Sequence, residues 1–220
     1  MTEIEAIRAR HAVRNYTAKP LSPEIIDELS QEIEQCNRQG QLHIQLVTEN
    51  EEAFKTFIPL FGRFKNVKNY IALAAKKQGD FYVKCGYCGA RLMVKAQQAG
   101  LNSCWVTNTY NAKKCPVTLA PDEELVGVIA IGYGTTDGTQ HKSKSMERLC
   151  KPCSDKWFLD GMNAAVLAPT GLNRQNFFIE ANGNTVSIRT KDNHPMSQIN
   201  TGIVKYHFEM GAGRENFNWE

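Results

Sequence analysis

The sequence lacks the features of a membrane-spanning or secreted protein. No apolar run approaches the ~20 residues that a transmembrane helix needs. The segment from Met1 to Glu5 is acidic and has neither the positive start nor the apolar core of a signal peptide. The 7 cysteines are an odd number, in a chain of 220 residues that can form a core without disulfides. These absences predict reduced thiols, a cytoplasmic location and no membrane partner.

Acidic residues are almost absent from the middle of the chain. Between Arg63 and Lys114 there are ten Lys and Arg residues and a single acid, Asp80. The segment from Glu24 to Glu52 is acidic instead. A basic stretch raises the local concentration of anions. Three interpretations stay open: solvated lysines on helix faces, a site for a phosphorylated cofactor, or a nucleic-acid surface.

Hydrophobic periodicity predicts a mixture of helices and short strands. The capping box of Thr2 and Glu5 predicts a first helix that ends just before Tyr16. The later predicted helices are Pro23 to Gly40, Glu51 to Phe61, Asp80 to Ala99, Trp157 to Ala168 and Gly202 to Gly213. The predicted strands are Leu42 to Val47, Asn69 to Ala74, Ser103 to Val106, Leu125 to Ile131, Phe177 to Glu180, Thr185 to Arg189 and Phe217 to Trp219. We expect a turn at Asn182-Gly183 and a basic loop from Thr135 to Lys156.

Basic residues cluster at the end of the first predicted helix. On this helix Arg10 and Arg14 are one turn apart and share one face, and His11 lies at its edge. Two guanidinium groups that converge on one point suit a phosphate dianion, because each can form paired charge-assisted hydrogen bonds. The alternative is that these arginines are solvated.

A second polar segment follows the helix predicted to end at Ala168. Pro169 stops a helix, and Gly171 permits close approach of a ligand to the backbone. Thr170, Asn173 and Gln175 supply hydrogen-bond donors and acceptors. Such a corner could satisfy the polar edge of a buried ligand, or it could be an ordinary helix-capping turn.

Both segments resemble signatures of the FMN-dependent nitroreductase superfamily. The first resembles the signature that binds the FMN phosphate, with Ala12 in place of the usual serine. The second resembles the segment that lies against the flavin ring, with departures at Gly171 and Asn176. The resemblance implies an α+β, nitroreductase-like fold with a central, mostly antiparallel sheet flanked by helices. It implies cofactor-binding roles for Arg10, His11, Ala12, Arg14, Thr107, Asn108, Thr109, Lys142, Lys144, Pro169, Thr170, Gly171, Asn173 and Gln175.

The position of the ring segment suggests an internal duplication. In ordinary members it follows the second helix, but Glu34 to Gln41 lacks the proline and small residues here, and the good copy lies near Pro169. This arrangement resembles the short branch in which one chain carries both halves of a dimer. A weak repeat, roughly residues 17–134 and 155–220, agrees. We therefore predict one domain of residues 1–220 with two pseudo-symmetric halves, one FMN per chain, and a monomer or homodimer.

The resemblance implies an FMN-dependent oxidoreductase that passes electrons from NAD(P)H to a flat, electron-poor acceptor such as a nitroaromatic or a quinone. The cofactor carries the chemistry, so no catalytic side chain is predicted. One alternative is a flavin-binding protein with another reaction or no turnover. Another is a zinc-stabilised nucleic-acid-binding protein, based on the pairs Cys85/Cys88 and Cys150/Cys153. Their separation of about 60 residues argues against a compact zinc module, so we expect no metal and no nucleic-acid partner.

Overall fold

The computed structural model describes residues 1–55 and 64–220 and divides the chain into two compact units. The four-stranded unit comprises Ala9–Phe81 and Leu92–Gln140. The three-stranded unit comprises Met1–Arg8, Tyr82–Arg91 and His141–Glu220. The predicted α+β class with a mostly antiparallel sheet and flanking helices is confirmed. The part of the predicted helix Glu51 to Phe61 that follows residue 55 lies outside the described residues.

Helices and strands alternate along most of the described chain. The α-helices are α1 (Glu3–Ala9), α2 (Pro23–Gly40), α3 (Phe81–Gln98), α4 (Lys156–Ala165) and α5 (Pro195–Ala212). The strands are β1 (Gln45–Val47), β2 (Asn69–Lys76), β3 (Asn102–Val106), β4 (Glu123–Gly132), β5 (Phe177–Asn182), β6 (Thr185–Thr190) and β7 (Asn218–Trp219). None of the described helices combines the length and hydrophobicity needed to cross a membrane.

The sheet of the four-stranded unit is antiparallel throughout, in the order β1-β2-β4-β3. Every residue of β2 except Lys76 is buried, which explains why its sequence is a continuous apolar run rather than an alternating one. One face of the sheet packs Tyr70 and Val128 into a core with Tyr16 and Phe54. Helix α2 contacts β1.

The three-stranded unit combines the hairpin β5-β6 with β7, which runs parallel to β6. Helices α4 and α5 pack closely, because a Cβ added at Gly161 would lie 2.8 Å from a ring carbon of Phe208. The same unit contains an aromatic cluster, in which Trp157 stacks on Phe217 with ring centroids 5.7 Å apart.

The first helix is shorter than the sequence predicts. It ends at Ala9, and the backbone that follows is paired with other segments. The Val13 N–H donates to Ser103 O at 3.2 Å, and the Tyr16 N–H donates to Lys65 O at 3.1 Å. These long-range bonds replace the intrahelical ones. The predicted helix up to Tyr16 is therefore wrong, and so is the argument that residues 10 and 14 share a helix face.

Other element boundaries also differ from the prediction. Helix α5 begins at Pro195 rather than Gly202, because the His194 side chain caps it by accepting from the Met196 N–H at 3.2 Å. The hairpin turn is Gly183-Asn184, one residue later than predicted, with Gly183 at φ +59°. The two sheets differ in strand number and in the direction of one strand pair. The duplication within a single domain of residues 1–220 stays a prediction.

Candidate functional site

Arg10 is a buried arginine without a hydrogen-bond partner for two of its nitrogens. It directly follows α1 and is 4% exposed, and its Nε and Nη1 contact no acceptor among the described residues. Burial lowers the pKa of Arg10 to about 10, so the side chain is still protonated at neutral pH. A shift of this size opposes the charged form by on the order of 3 kcal/mol. An anion beside Arg10 would offset this penalty and supply the missing acceptors.

The segment that follows Arg10 is fixed in an extended conformation against β3. Ala12 forms a parallel bridge with Ser103. The buried Tyr16 hydroxyl lies 2.8 Å from Val13 O and 3.2 Å from Ala130 O, both of them acceptors. Burial raises the pKa of Tyr16 well above its ordinary value, so the phenol stays neutral and keeps its donor. Tertiary pairing therefore sets the course of residues 12–16.

The four predicted residues of this segment lie together near the start of β3. Burial raises the pKa of the Cys104 thiol, while the nearby positive charges of Arg14 and Arg10 act to lower it. Arg14 itself is exposed, and His11 is half-buried. A Cβ added at Gly138 would lie 3.0 Å from His11 Cβ and 3.1 Å from Ala12 O, so Gly138 packs closely against this segment. We call Arg10, His11, Ala12 and Arg14 the arginine cluster.

Ser103 belongs to the same region and was not among the predicted site residues. It is fully buried, and its Oγ has no hydrogen-bond partner among the described residues. Ala12, its bridge partner, is the position where the family signature has a serine. The absence of a hydroxyl at Ala12 was the one sequence signal that could have predicted a compensating hydroxyl such as that of Ser103.

Thr107, Asn108 and Thr109 form a bend that directly follows β3. The two threonines are half-buried and Asn108 is exposed. An extended strand rises about 3.3 Å per residue, which places Thr107 about 13 Å from Ser103. The three residues therefore lie at the opposite end of β3 from the arginine cluster.

The late polar segment, Pro169 to Gln175, forms a tight loop in the three-stranded unit. Leu172, Asn173 and Gln175 have φ values of +52°, +53° and +45°, the left-handed region. Thr170 stabilises the loop twice: its carbonyl accepts from the Asn173 N–H at 2.8 Å, and its Oγ1 accepts from the Gln175 N–H at 3.0 Å. The Gly171 N–H donates to Asn200 Oδ1 at 3.1 Å. We call residues 169–175 the late loop.

The structure brings the two predicted lysines to the late loop. Asn173 Nδ2 donates to Lys142 O at 2.8 Å. Gln175 Oε1 accepts from the Lys144 N–H at 2.7 Å, and Lys144 Nζ donates to Gln175 O at 3.0 Å and to Asn176 Oδ1 at 3.3 Å. Thus the predicted residues form an arginine cluster in one unit and a loop with lysines in the other.

The two cysteine pairs do not form the site that the zinc alternative needs. None of the 7 cysteines forms a disulfide. Cys85 and Cys88 are buried on α3, and Cys150 is buried before α4. Within residues 1–55 and 64–220, no three His, Cys, Asp or Glu side chains are grouped as metal ligands. The geometry gives this alternative no support.

The fold is that of the nitroreductases. A "putative nitroreductase" from Thermotoga maritima aligns with 98% of this chain and 85% of its own, at a TM-score of 0.66 and 21% identity. A "putative nitroreductase" from Desulfovibrio desulfuricans, solved in complex with FMN, covers 70% of this chain and 99% of its own, at a TM-score of 0.56 and 16% identity. A "Putative NADH dehydrogenase/NAD(P)H nitroreductase" from Parabacteroides distasonis covers 67% of this chain and 95% of its own, at a TM-score of 0.54 and 19% identity.

The sequence profile of one nitroreductase family matches nearly the whole chain. The family is described as "Putative TM nitroreductase", and the match runs over residues 3–212. The chain therefore belongs to this nitroreductase family. A comparison with curated protein sequences gives no match.

Proposed function

We propose that the chain is an FMN-dependent oxidoreductase that passes electrons from NAD(P)H to a flat, electron-poor acceptor such as a nitroaromatic or a quinone. Family membership supports an oxidoreductase. The observation that carries the choice of cofactor is Arg10, which lies in the segment that resembles the FMN-phosphate signature. Its buried Nε and Nη1 lack acceptors in the part of the chain that the structure describes. The D. desulfuricans relative, with its bound FMN, supports the same cofactor.

The arginine cluster fits a phosphate group. Paired phosphate oxygens would accept from Nε and Nη1 of Arg10, and Arg14 would add a second charge. At 4 Å and an effective dielectric constant near 20, each charge pair contributes about 4 kcal/mol before desolvation. Arg10 has already lost most of its water, so a phosphate there meets little further desolvation of the protein. The buried Ser103 hydroxyl would replace the one missing at Ala12.

The remaining predicted residues are assigned to the flavin ring and to the positive environment of the phosphate. FMN supplies the hydride and electron transfer, and the chain positions it. Thr170, Gly171 and Asn173 of the late loop would bind the ring edge, as the resemblance implies. Donors in the bend after β3, around Asn108, would stabilise negative charge on the reduced ring. Lys142 and Lys144 would add positive charge, and no separate catalytic residue is proposed.

The electron donor and the acceptor class are assigned from the names of a relative and of the family. The P. distasonis relative carries NAD(P)H in its name, which favours a nicotinamide donor for this chain. The acceptor class follows from the family name alone. A cytoplasmic monomer or homodimer that binds small molecules and no nucleic acid stays a prediction.

The proposal is tested with purified protein. Denaturation should release one FMN per chain, or reconstitution with FMN should reach that ratio. Anaerobic NADH or NADPH should bleach the visible flavin band, and a nitroaromatic or quinone should restore it. Bound FMN that neither nucleotide bleaches would identify a flavin protein without this activity. Failure to bind FMN even after reconstitution would contradict the proposal.

A further inference from the structure

Gln175 connects two segments of the three-stranded unit through both ends of its side-chain amide. The residue is 1% exposed. Its Oε1 accepts from the Lys144 N–H at 2.7 Å, and its Nε2 donates to Val166 O at 2.9 Å. The basic segment around Lys144 is thereby joined to the end of α4 through one buried side chain. We call Gln175, Lys144 and Val166 the glutamine latch.

The Val166 carbonyl is a shared acceptor. Val166 is the C-cap residue of α4, and carbonyls at a helix C-terminus have no partner within the helix. Besides Gln175 Nε2, the Ser143 hydroxyl donates to it at 3.0 Å, and His141 Nε2 lies 3.0 Å away. The partial negative charge of the helix end favours donors at this point. Three side chains therefore hold the basic segment and the late loop to one atom.

The latch opposes strain in the late loop. Leu172, Asn173 and Gln175 have positive φ values, and each non-glycine residue in this region is disfavoured by roughly 1 kcal/mol. Such conformations persist only when surrounding interactions hold them. Gln175 is itself one of the three residues, so its buried amide fixes the strained backbone directly.

From this geometry we infer that Gln175 is a positioning residue. It couples the basic segment His141–Lys144 to the late loop, so that Lys144 and the ring-binding groups of the loop adopt one joint conformation. This inference rests on the proposed function for the flavin itself. Both ends of the Gln175 side-chain amide already have hydrogen-bond partners, unlike Nε and Nη1 of Arg10, which have none among the described residues. Gln175 therefore acts on the cofactor through Thr170, Asn173 and Lys144.

The latch is tested first in the protein without flavin, by amide hydrogen exchange. The Lys144 N–H should be protected in the original protein, and Gln175→Leu should raise its exchange rate by about tenfold or more, because a buried hydrogen bond is lost. Amides within the hairpin β5-β6 should keep their rates. Arg174→Gln, a change in the neighbouring exposed side chain, is the matched control and should leave Lys144 protected. If Gln175→Leu does not fold, Gln175→Asn makes the same test, because the shorter side chain cannot span both partners.

The second measurement is the affinity for FMN and for riboflavin. Release of the ring-binding loop should weaken both ligands by about tenfold or more in Gln175→Leu and shift the visible circular dichroism of the bound flavin. A purely structural role would lower thermal stability but leave the affinities and spectrum of the folded holoprotein unchanged, which would overturn the inference. Unchanged exchange at Lys144 would also overturn it. If the original protein binds no flavin, the proposed function fails, and the exchange result alone decides whether the latch couples the two segments.

Discussion

At the scale of single residues, Arg10 combines a buried positive charge with two nitrogens that have no acceptor among the described residues. The sequence motif predicted a role for Arg10, but it did not predict that Arg10 is buried. The helix on which the motif was placed ends at Ala9, and pairing of Ala12 with Ser103 determines the backbone instead. The motif singled out Arg10, but the helical geometry used to argue for it is wrong, and a role for Arg10 in binding FMN stays a prediction. Long-range pairing of this kind leaves no local signal in the sequence.

Replacing Arg10 should stabilise the protein when no cofactor is bound. Arg10→Met keeps a long apolar stem but removes a buried charge whose Nε and Nη1 have no acceptor among the described residues, so we expect the free energy of unfolding of the apoprotein to rise by about 1–3 kcal/mol. Urea unfolding of the apoprotein measures this. Arg14→Met, an exposed change, should stay within about 0.5 kcal/mol of the original. A less stable Arg10→Met apoprotein would show that the charge has a partner in the folded state.

Glu123 predicts a pH-dependent contribution to stability. His43 Nδ1 lies 2.9 Å from Glu123 Oε2, and this hydrogen bond, together with one from the Ala120 N–H, holds the pKa of Glu123 below its ordinary value of 4.5. The folded pKa is lower than the unfolded one, so the stabilisation is present above pH 4.5 and is lost as the pH falls below it.

The variant Glu123→Gln should therefore be less stable than the original protein by about 1 kcal/mol at neutral pH. The difference should shrink as the pH falls below 4.5. Thermal or urea unfolding of both proteins over this range measures the difference. A constant difference at every pH would mean that the carboxylate charge has no part in it.

At the scale of elements, the sequence predicted best where local signals and tertiary contacts agree. Helix α2 begins as expected, because the Ser22 side chain accepts from the Ile25 N–H and Pro23 occupies the first turn. Strand β2 was recognised from its continuous apolar run. Helix α5 was predicted to start at Gly202, seven residues too late, since the capping role of His194 was overlooked. The late loop was located correctly, but the bonds of Gln175 depend on Lys144 and Val166, which no local pattern reveals.

The packing of α5 against the first half of α3 depends on two glycines. A Cβ added at Gly202 would overlap Val83 O and would also lie 2.6 Å from Tyr87 N, and one added at Gly86 would overlap Ile199 O. The neighbours are backbone atoms, which cannot move aside as a flexible side chain can. The two helices therefore approach as closely as their backbones allow.

Gly202→Ala should destabilise the protein by about 2 kcal/mol or more, even though alanine favours helices by about 1 kcal/mol over glycine. Unfolding by heat or urea measures the change. Thr201→Ala, at the preceding residue of α5, should lower the free energy of unfolding much less, because no new atom is added. A Gly202→Ala protein as stable as the original would contradict the close backbone contact.

At the scale of the whole molecule, class and family could be inferred from the sequence, but the division of the chain could not. The motifs predicted an α+β nitroreductase-like chain, and the fold and the family profile confirm this. Neither unit is a continuous stretch of the chain. Tyr82–Arg91 belongs to the three-stranded unit, and the residues on either side of it belong to the four-stranded unit. Membership of a unit depends on contacts between distant parts of the chain, so periodicity and composition carry no information about it.

The central claim is that the buried Arg10 guanidinium holds the phosphate of FMN. The most direct test is a titration of the apoprotein with FMN and with riboflavin, which lacks the phosphate, in the original protein and in Arg10→Met. The account predicts that the original protein prefers FMN by tenfold or more, and that Arg10→Met loses this preference while its riboflavin affinity is unchanged. An Arg10→Met protein that still prefers FMN over riboflavin to the original extent would contradict the account.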